Sequence, residues 1–69
     1  MTNVSMLEQA IKNSGLKRKY IAEQLGLSYQ GFLDKIRGKT EFVGSEIVRM
    51  KDILRIDEKT VSEIFLSRG

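Results

Sequence analysis

Lys17-Arg18-Lys19-Tyr20-Ile21-Ala22-Glu23-Gln24-Leu25-Gly26-Leu27-Ser28-Tyr29-Gln30-Gly31-Phe32-Leu33-Asp34-Lys35-Ile36-Arg37-Gly38-Lys39 is the stretch whose pattern decides the fold. Ile21, Ala22 and Leu25 fall at helical spacing, and after Gly26 so do Phe32 and Ile36. The spacing predicts two short amphipathic helices, from Arg18 to Leu25 and from Tyr29 to Arg37. Gly26 stands where the chain must reverse through left-handed backbone, which is costly for a residue with a Cβ. Ala22 sits where two steeply crossing helices come closest, and only a small side chain permits that approach. Ser28 is the N-cap of the later helix, bracketed by Leu27 and Phe32, and Gly38 ends it. Pinned from below, this helix is expected to turn Tyr29, Gln30, Leu33 and Asp34 or Arg37 outward.

Three more helices are expected around this pair. The first runs from Val4 to Ser14, capped by Thr2, Asn3 or Ser5, with an apolar stripe of Val4, Leu7, Ala10 and Ile11 and a left-handed exit at Gly15. Leu16 then anchors the chain. Glu41-Phe42-Val43-Gly44 reads as a loop with Phe42 as a core plug. Beyond it, Ile47, Met50, Ile53 and Leu54 mark a helix from Ser45 to Leu54. Asp57 is a good N-cap for the last helix, with Glu58 in its first turn and Val61, Ile64 and Phe65 facing inward. Leu66 lies off that stripe, and with Met6 it is surplus apolar surface that hints at a dimer seam on the fifth helix. Proline is absent, strands are not signalled, and there are no repeats or linkers. The expected fold class is all-α: a compact five-helix bundle with a helix-turn-helix, in one domain spanning 1–69.

A 69-residue chain buries only about 60% of its unfolded surface, and such a core rarely supplies more than about 3–5 kcal/mol. A partner or a dimer would add to it. Cysteine and histidine are both missing, which excludes a disulfide scaffold, the usual zinc, haem and iron–sulfur sites, and Ser–His or Cys–His catalysis. No cofactor is expected. Carboxylates such as Asp57 and Glu58 are explained as helix-start residues, and no nucleophile–base pair or phosphate loop is present, so an enzyme is not expected. No apolar run approaches the roughly 20 residues of a membrane span, and the opening residues lack signal-peptide character. A cytoplasmic chain without a membrane partner is expected. The net charge is +3, but its placement matters more. Residues 12–39 carry seven cations against two acids, whereas residues 40–69 carry five against six. Positive charge therefore coincides with the two-helix stretch, which points to an anionic partner.

The outward residues of the later helix suggest which anion. Residues in the first turn of a helix laid in the DNA major groove approach base edges, and a glutamine there can pair bidentately with adenine. Gln30 is the first candidate for base readout. Tyr29 could offer its hydroxyl to a phosphate or its ring to a thymine methyl, and Leu33 could meet a thymine methyl or form peripheral core. Gly31 admits either close DNA approach or tight packing against another helix. Ser28 is a cap and a candidate phosphate donor. Arg18 and Lys19 lie unfavourably on the positive end of a helix, a cost that makes sense if a phosphate arrives there. Lys17, Arg18, Lys19 and Lys39 are the expected phosphate ligands, with Arg37 equally at home in solvent.

In these residues the chain resembles the lambda-repressor-like helix-turn-helix domains, the superfamily of phage Cro and repressor proteins and bacterial xenobiotic-response-element (XRE family) regulators. Ile-Ala-Glu-Gln-Leu-Gly-Leu-Ser at 21–28 is similar to that family's helix-turn run, and Ile36-Arg37-Gly38-Lys39 to the exit of its recognition helix. The tail Phe42…Ser45-Glu46-Ile47…Leu54…Val61…Ile64-Phe65 looks like the small phage-borne subset. The resemblance covers Leu7 to Leu66. It implies a five-helix domain that binds double-stranded operator DNA, usually as a symmetric homodimer, and regulates transcription as a small Cro-like repressor. Two departures stand out. Arg18 and Tyr29 replace a pair of glutamines that in most members clamp a phosphate and read adenine, so that adenine contact does not carry over. Lys35 occupies an often apolar position, with Ile36 taking the buried role; its stem should pack and its ammonium stay free for a phosphate. These departures and the weak net charge leave an alternative: a module on the same fold that docks on another repressor protein and alters its DNA binding.

Overall fold

The structure, a computed structural model, describes residues 1–66; the last three positions of the expected 1–69 domain lie outside the described residues. Five helices form, α1 (Val4–Ser14), α2 (Arg18–Gln24), α3 (Tyr29–Ile36), α4 (Gly44–Leu54) and α5 (Glu58–Phe65), with no strand among the described residues. The chain is thus an all-α five-helix bundle.

Helix ends follow local chemistry. Of three candidate caps for α1, Asn3 does the work, its side chain accepting from the Met6 amide at 3.1 Å. Asp57 caps α5 in the same way through the Thr60 amide at 2.8 Å. α2 and α3 each end one residue earlier than expected, because Leu25 and Arg37 serve as C-caps. The following glycines, Gly26 and Gly38, take left-handed backbone at φ 71 and 80°. Each then closes a Schellman turn: Leu27 donates to the Ala22 carbonyl at 3.0 Å, and Lys39 to that of Asp34 at 2.9 Å.

α4 begins one residue before the expected Ser45, and its cap is not a side chain. The Val43 carbonyl accepts the Glu46 and Ile47 amides at 3.0 Å each, while the Glu46 carboxylate bends back onto the Val43 amide at 2.9 Å. That reciprocity fixes the helix start without a polar cap residue. At its other end Arg55 adopts φ 55° and ψ 46°. A non-glycine residue rarely enters that region.

The core gathers Leu7 and Ile11 from α1, Ile21, Ala22 and Leu25 from α2 and its cap, Phe32 and Ile36 from α3, Met50 and Leu54 from α4, and Ile64 and Phe65 from α5. Phe42 plugs the loop side as expected. Its ring meets Phe32 and Phe65 edge-on, with centroids 6.4 and 5.3 Å away, an arrangement worth more than its buried area alone. α1 packs on α3, α4 and α5, and α2 leans on α3. The Asn3 amide donates to the Ile64 carbonyl at 2.6 Å, tying the start of α1 to the end of α5. Met6 is half-buried against the core, not surplus surface, and α1 packs on α5. Leu66 does remain exposed.

Candidate nucleic-acid interface

Two buried residues, Phe32 and Ile36, hold α3 down, which leaves its first turn on the surface. Ser28, Tyr29 and Gln30 are exposed, with Tyr29 at 49%. Ala22, fully covered, lets α2 pass close beneath. Ser28 caps the helix by accepting the Gly31 amide at 3.0 Å, and its hydroxyl proton stays available to a second acceptor.

That cap also resolves Gly31. A Cβ built there would stand 2.9 Å from Ser28 Oγ, with no other helix within reach. Glycine at 31 makes room for the cap hydroxyl, so packing against another helix is not its role.

The other candidates sit unevenly. Lys17 and Lys19 are exposed at the start of α2, and Arg37 and Lys39 are exposed just past α3. Arg18 lies against Glu8 of α1 at 3.6 Å, with side chains 41 and 46% exposed, a loose pair that solvent screens. α2 has only seven residues and Lys17 gives it no side-chain cap, so its dipole is a minor attraction for an anion compared with the three cations themselves. Leu33 is half-buried and packed against the core. Of the two readings of Leu33 the peripheral-core one fits this placement, and the residue is partly exposed.

Lys35 requires a larger correction. Its stem does pack, but its ammonium is not free for a phosphate. Nζ donates to Glu46 Oε1 at 2.8 Å and to the Glu41 carbonyl at 3.0 Å, and lies 5.8 Å from the centre of the Phe42 ring. The two charged side chains are 15 and 12% exposed. Burial pushes the Glu46 carboxyl upward, but the hydrogen bonds from Lys35 and the Val43 amide and the Lys35 charge outweigh it and hold the group below the usual carboxylate range. Lys35 thus fastens the end of α3 to the start of α4 and leaves the phosphate set.

One pairing on the exposed turn was not foreseen. Gln30 Nε2 donates to Asp34 Oδ1 at 3.0 Å, one helical turn along α3. The spacing was visible in the sequence as an i, i+4 neighbour. No pattern in the sequence joins Lys35 to Glu46, which is eleven positions away on another helix. Together, the start of α3 presents a hydroxyl, a phenol and an oriented carboxamide, with exposed cations before α2 and after α3 along the chain. Among the described residues no helix is long and apolar enough to cross a membrane. Comparison of the chain with protein-family models, with curated proteins and with solved structures finds no match.

Proposed function

We propose that this chain binds double-stranded DNA in a sequence-dependent way through a helix-turn-helix formed by α2 and α3, and that it regulates transcription as a small Cro-like repressor. The observation that carries the reading is the exposed first turn of α3, with Tyr29 and Gln30 outward, following a glycine-closed turn. A helix presented in this way fits the major groove, and its first-turn side chains reach base edges. Gln30 and Tyr29 read bases, with the partly exposed Leu33 beside them. Lys17, Arg18, Lys19, Lys39 and the Ser28 hydroxyl hold phosphates. The four cations imply about four released counterions per subunit, hence a log–log salt slope of about −3.5. Affinity for a fluorescent duplex should fall about a hundredfold between 50 and 200 mM salt. A flat plot, or no binding at low salt, sinks the reading.

A second reading, docking on another repressor, is favoured by a different face. Val48 and Leu66, 64 and 65% exposed, border a shallow groove with Ile47 and Val61 between α4 and α5. A second copy bound to a palindromic operator could use the same face. Duplex binding by the pure chain separates DNA recognition from docking on another repressor.

A further inference from the structure

The Gln30–Asp34 pair on α3 has a consequence for specificity. A carboxylate accepts hydrogen bonds and cannot donate them, so only the amide nitrogen of Gln30 can face Asp34 Oδ1. The 3.0 Å bond therefore fixes which end of the carboxamide points along the helix. One N–H of Nε2 is used, and the second N–H and Oε1 stay free on an exposed side chain. A free donor beside a free acceptor is the set that matches the N7 and N6 edge of adenine. Guanine offers two acceptors there, and Oε1 would face O6. Reversing the carboxamide to suit guanine would bring Oε1 against the Asp34 carboxylate.

We infer that Asp34 is a specificity-determining positioning residue, which holds the Gln30 carboxamide in the orientation that accepts adenine and rejects guanine. The inference rests on the proposed DNA-binding reading and adds to it the residue that sets base choice. Asp34 touches no base itself. Its carboxylate lies beside Gln30 on the same helix, one turn along. As an anion close to the interface it also repels phosphate, so its removal has two opposite effects. Non-specific affinity should rise, while discrimination at one base pair should fall.

The test selects binding sites from a random duplex pool with the wild-type chain, Gln30→Ala, Asp34→Asn and Asp34→Glu, and measures affinities for the selected site and its single-base variants. The wild type should prefer adenine over guanine about ten- to a hundredfold at the one position whose preference vanishes in Gln30→Ala. Asp34→Asn, whose amide can either donate or accept, should lose most of that ratio at that position alone and bind random duplex more tightly. Asp34→Glu, still acceptor-only, should restore part of the ratio. If the wild type binds and Asp34→Asn keeps the full ratio, or if no position depends on Gln30, the inference is overturned while DNA binding stands. If the wild type binds no duplex at low salt, both fall together.

Discussion

Glu46→Gln isolates the Lys35–Glu46 pair. The amide oxygen of the variant can still accept the Val43 amide, so the start of α4 is kept and only the charge is lost. In the native chain Glu46 Oε1 receives both Lys35 Nζ at 2.8 Å and the Val43 amide at 2.9 Å. Exposed pairs contribute about 0.2–1 kcal/mol, and removing one partner of a buried pair costs about 3–5 kcal/mol. With side chains 15 and 12% exposed, this pair lies between those limits. A loss of about 2 kcal/mol is expected at pH 7, close to half of what so small a core supplies. In a thermal melt that is a fall of about 10 °C in Tm. Lys35→Met should cost at least as much, because it removes both Nζ hydrogen bonds and leaves the Glu46 carboxylate without its cation, and the double variant should recover about 1–2 kcal/mol relative to the sum. The pH dependence has a definite sign. The folded carboxyl lies below its unfolded value, so between the two the unfolded state holds more protons. The contribution is complete above the ordinary carboxylate range, at about pH 5, and is lost as pH falls through the lower folded value. Urea titrations from pH 7 to pH 3 should show the gap between wild type and Glu46→Gln closing at the acid end. A coupling near zero, or a gap that stays constant across that range, would refute the assignment.

Other substitutions probe single features. Gly31→Ala should leave stability nearly unchanged, because a helix-propensity gain of about 1 kcal/mol is offset by a displaced Ser28 cap of similar worth. In a Ser28→Ala background the same change should stabilise by about 1 kcal/mol, and equal effects in both backgrounds would dissociate Gly31 from the cap. Arg55→Gly should raise stability by about 0.5–1 kcal/mol in urea, since left-handed backbone costs arginine more than glycine's extra unfolded freedom. Gln30→Ala should erode preference for a selected duplex over random DNA. Arg18→Ala should weaken both alike and flatten the salt slope by about 1. Binding isotherms at several salt concentrations distinguish the two patterns.

Four of the five helices were legible because each carries a local stop or start that needs no partner: Gly15, Gly26 and Gly38 as exits, Ser28 and Asp57 as caps; α4 was legible only from the helical spacing of Ile47, Met50, Ile53 and Leu54. Helix ends moved by a residue where the cap falls one place earlier than the apolar spacing suggests, at Leu25, Arg37 and Val43. Arg55 could not be foreseen, since nothing about arginine signals positive φ. Lys35 was misread for a related reason. Its type and position announced a free ammonium, and only the chain's return through Phe42 brings Glu46 beside it. Gly31 offered two readings until the Ser28 hydroxyl was placed. On the exposed turn of α3, Tyr29 and Gln30 were visible as outward residues, whereas Leu33 also offered two readings until its packing against the core was placed.

The bond from the Asn3 amide to the Ile64 carbonyl changes how the molecule should open. An amide one residue ahead of a helix ordinarily exchanges its proton with solvent in the fastest class. Here it is shielded until the last turn of α5 lets go, so Asn3 should exchange in step with the closing residues of α5 and not with the first-turn amides of Val4 and Ser5 beside it. Loosening the start of α1 thereby releases the last turn of α5, and the two should open as a single cooperative unit.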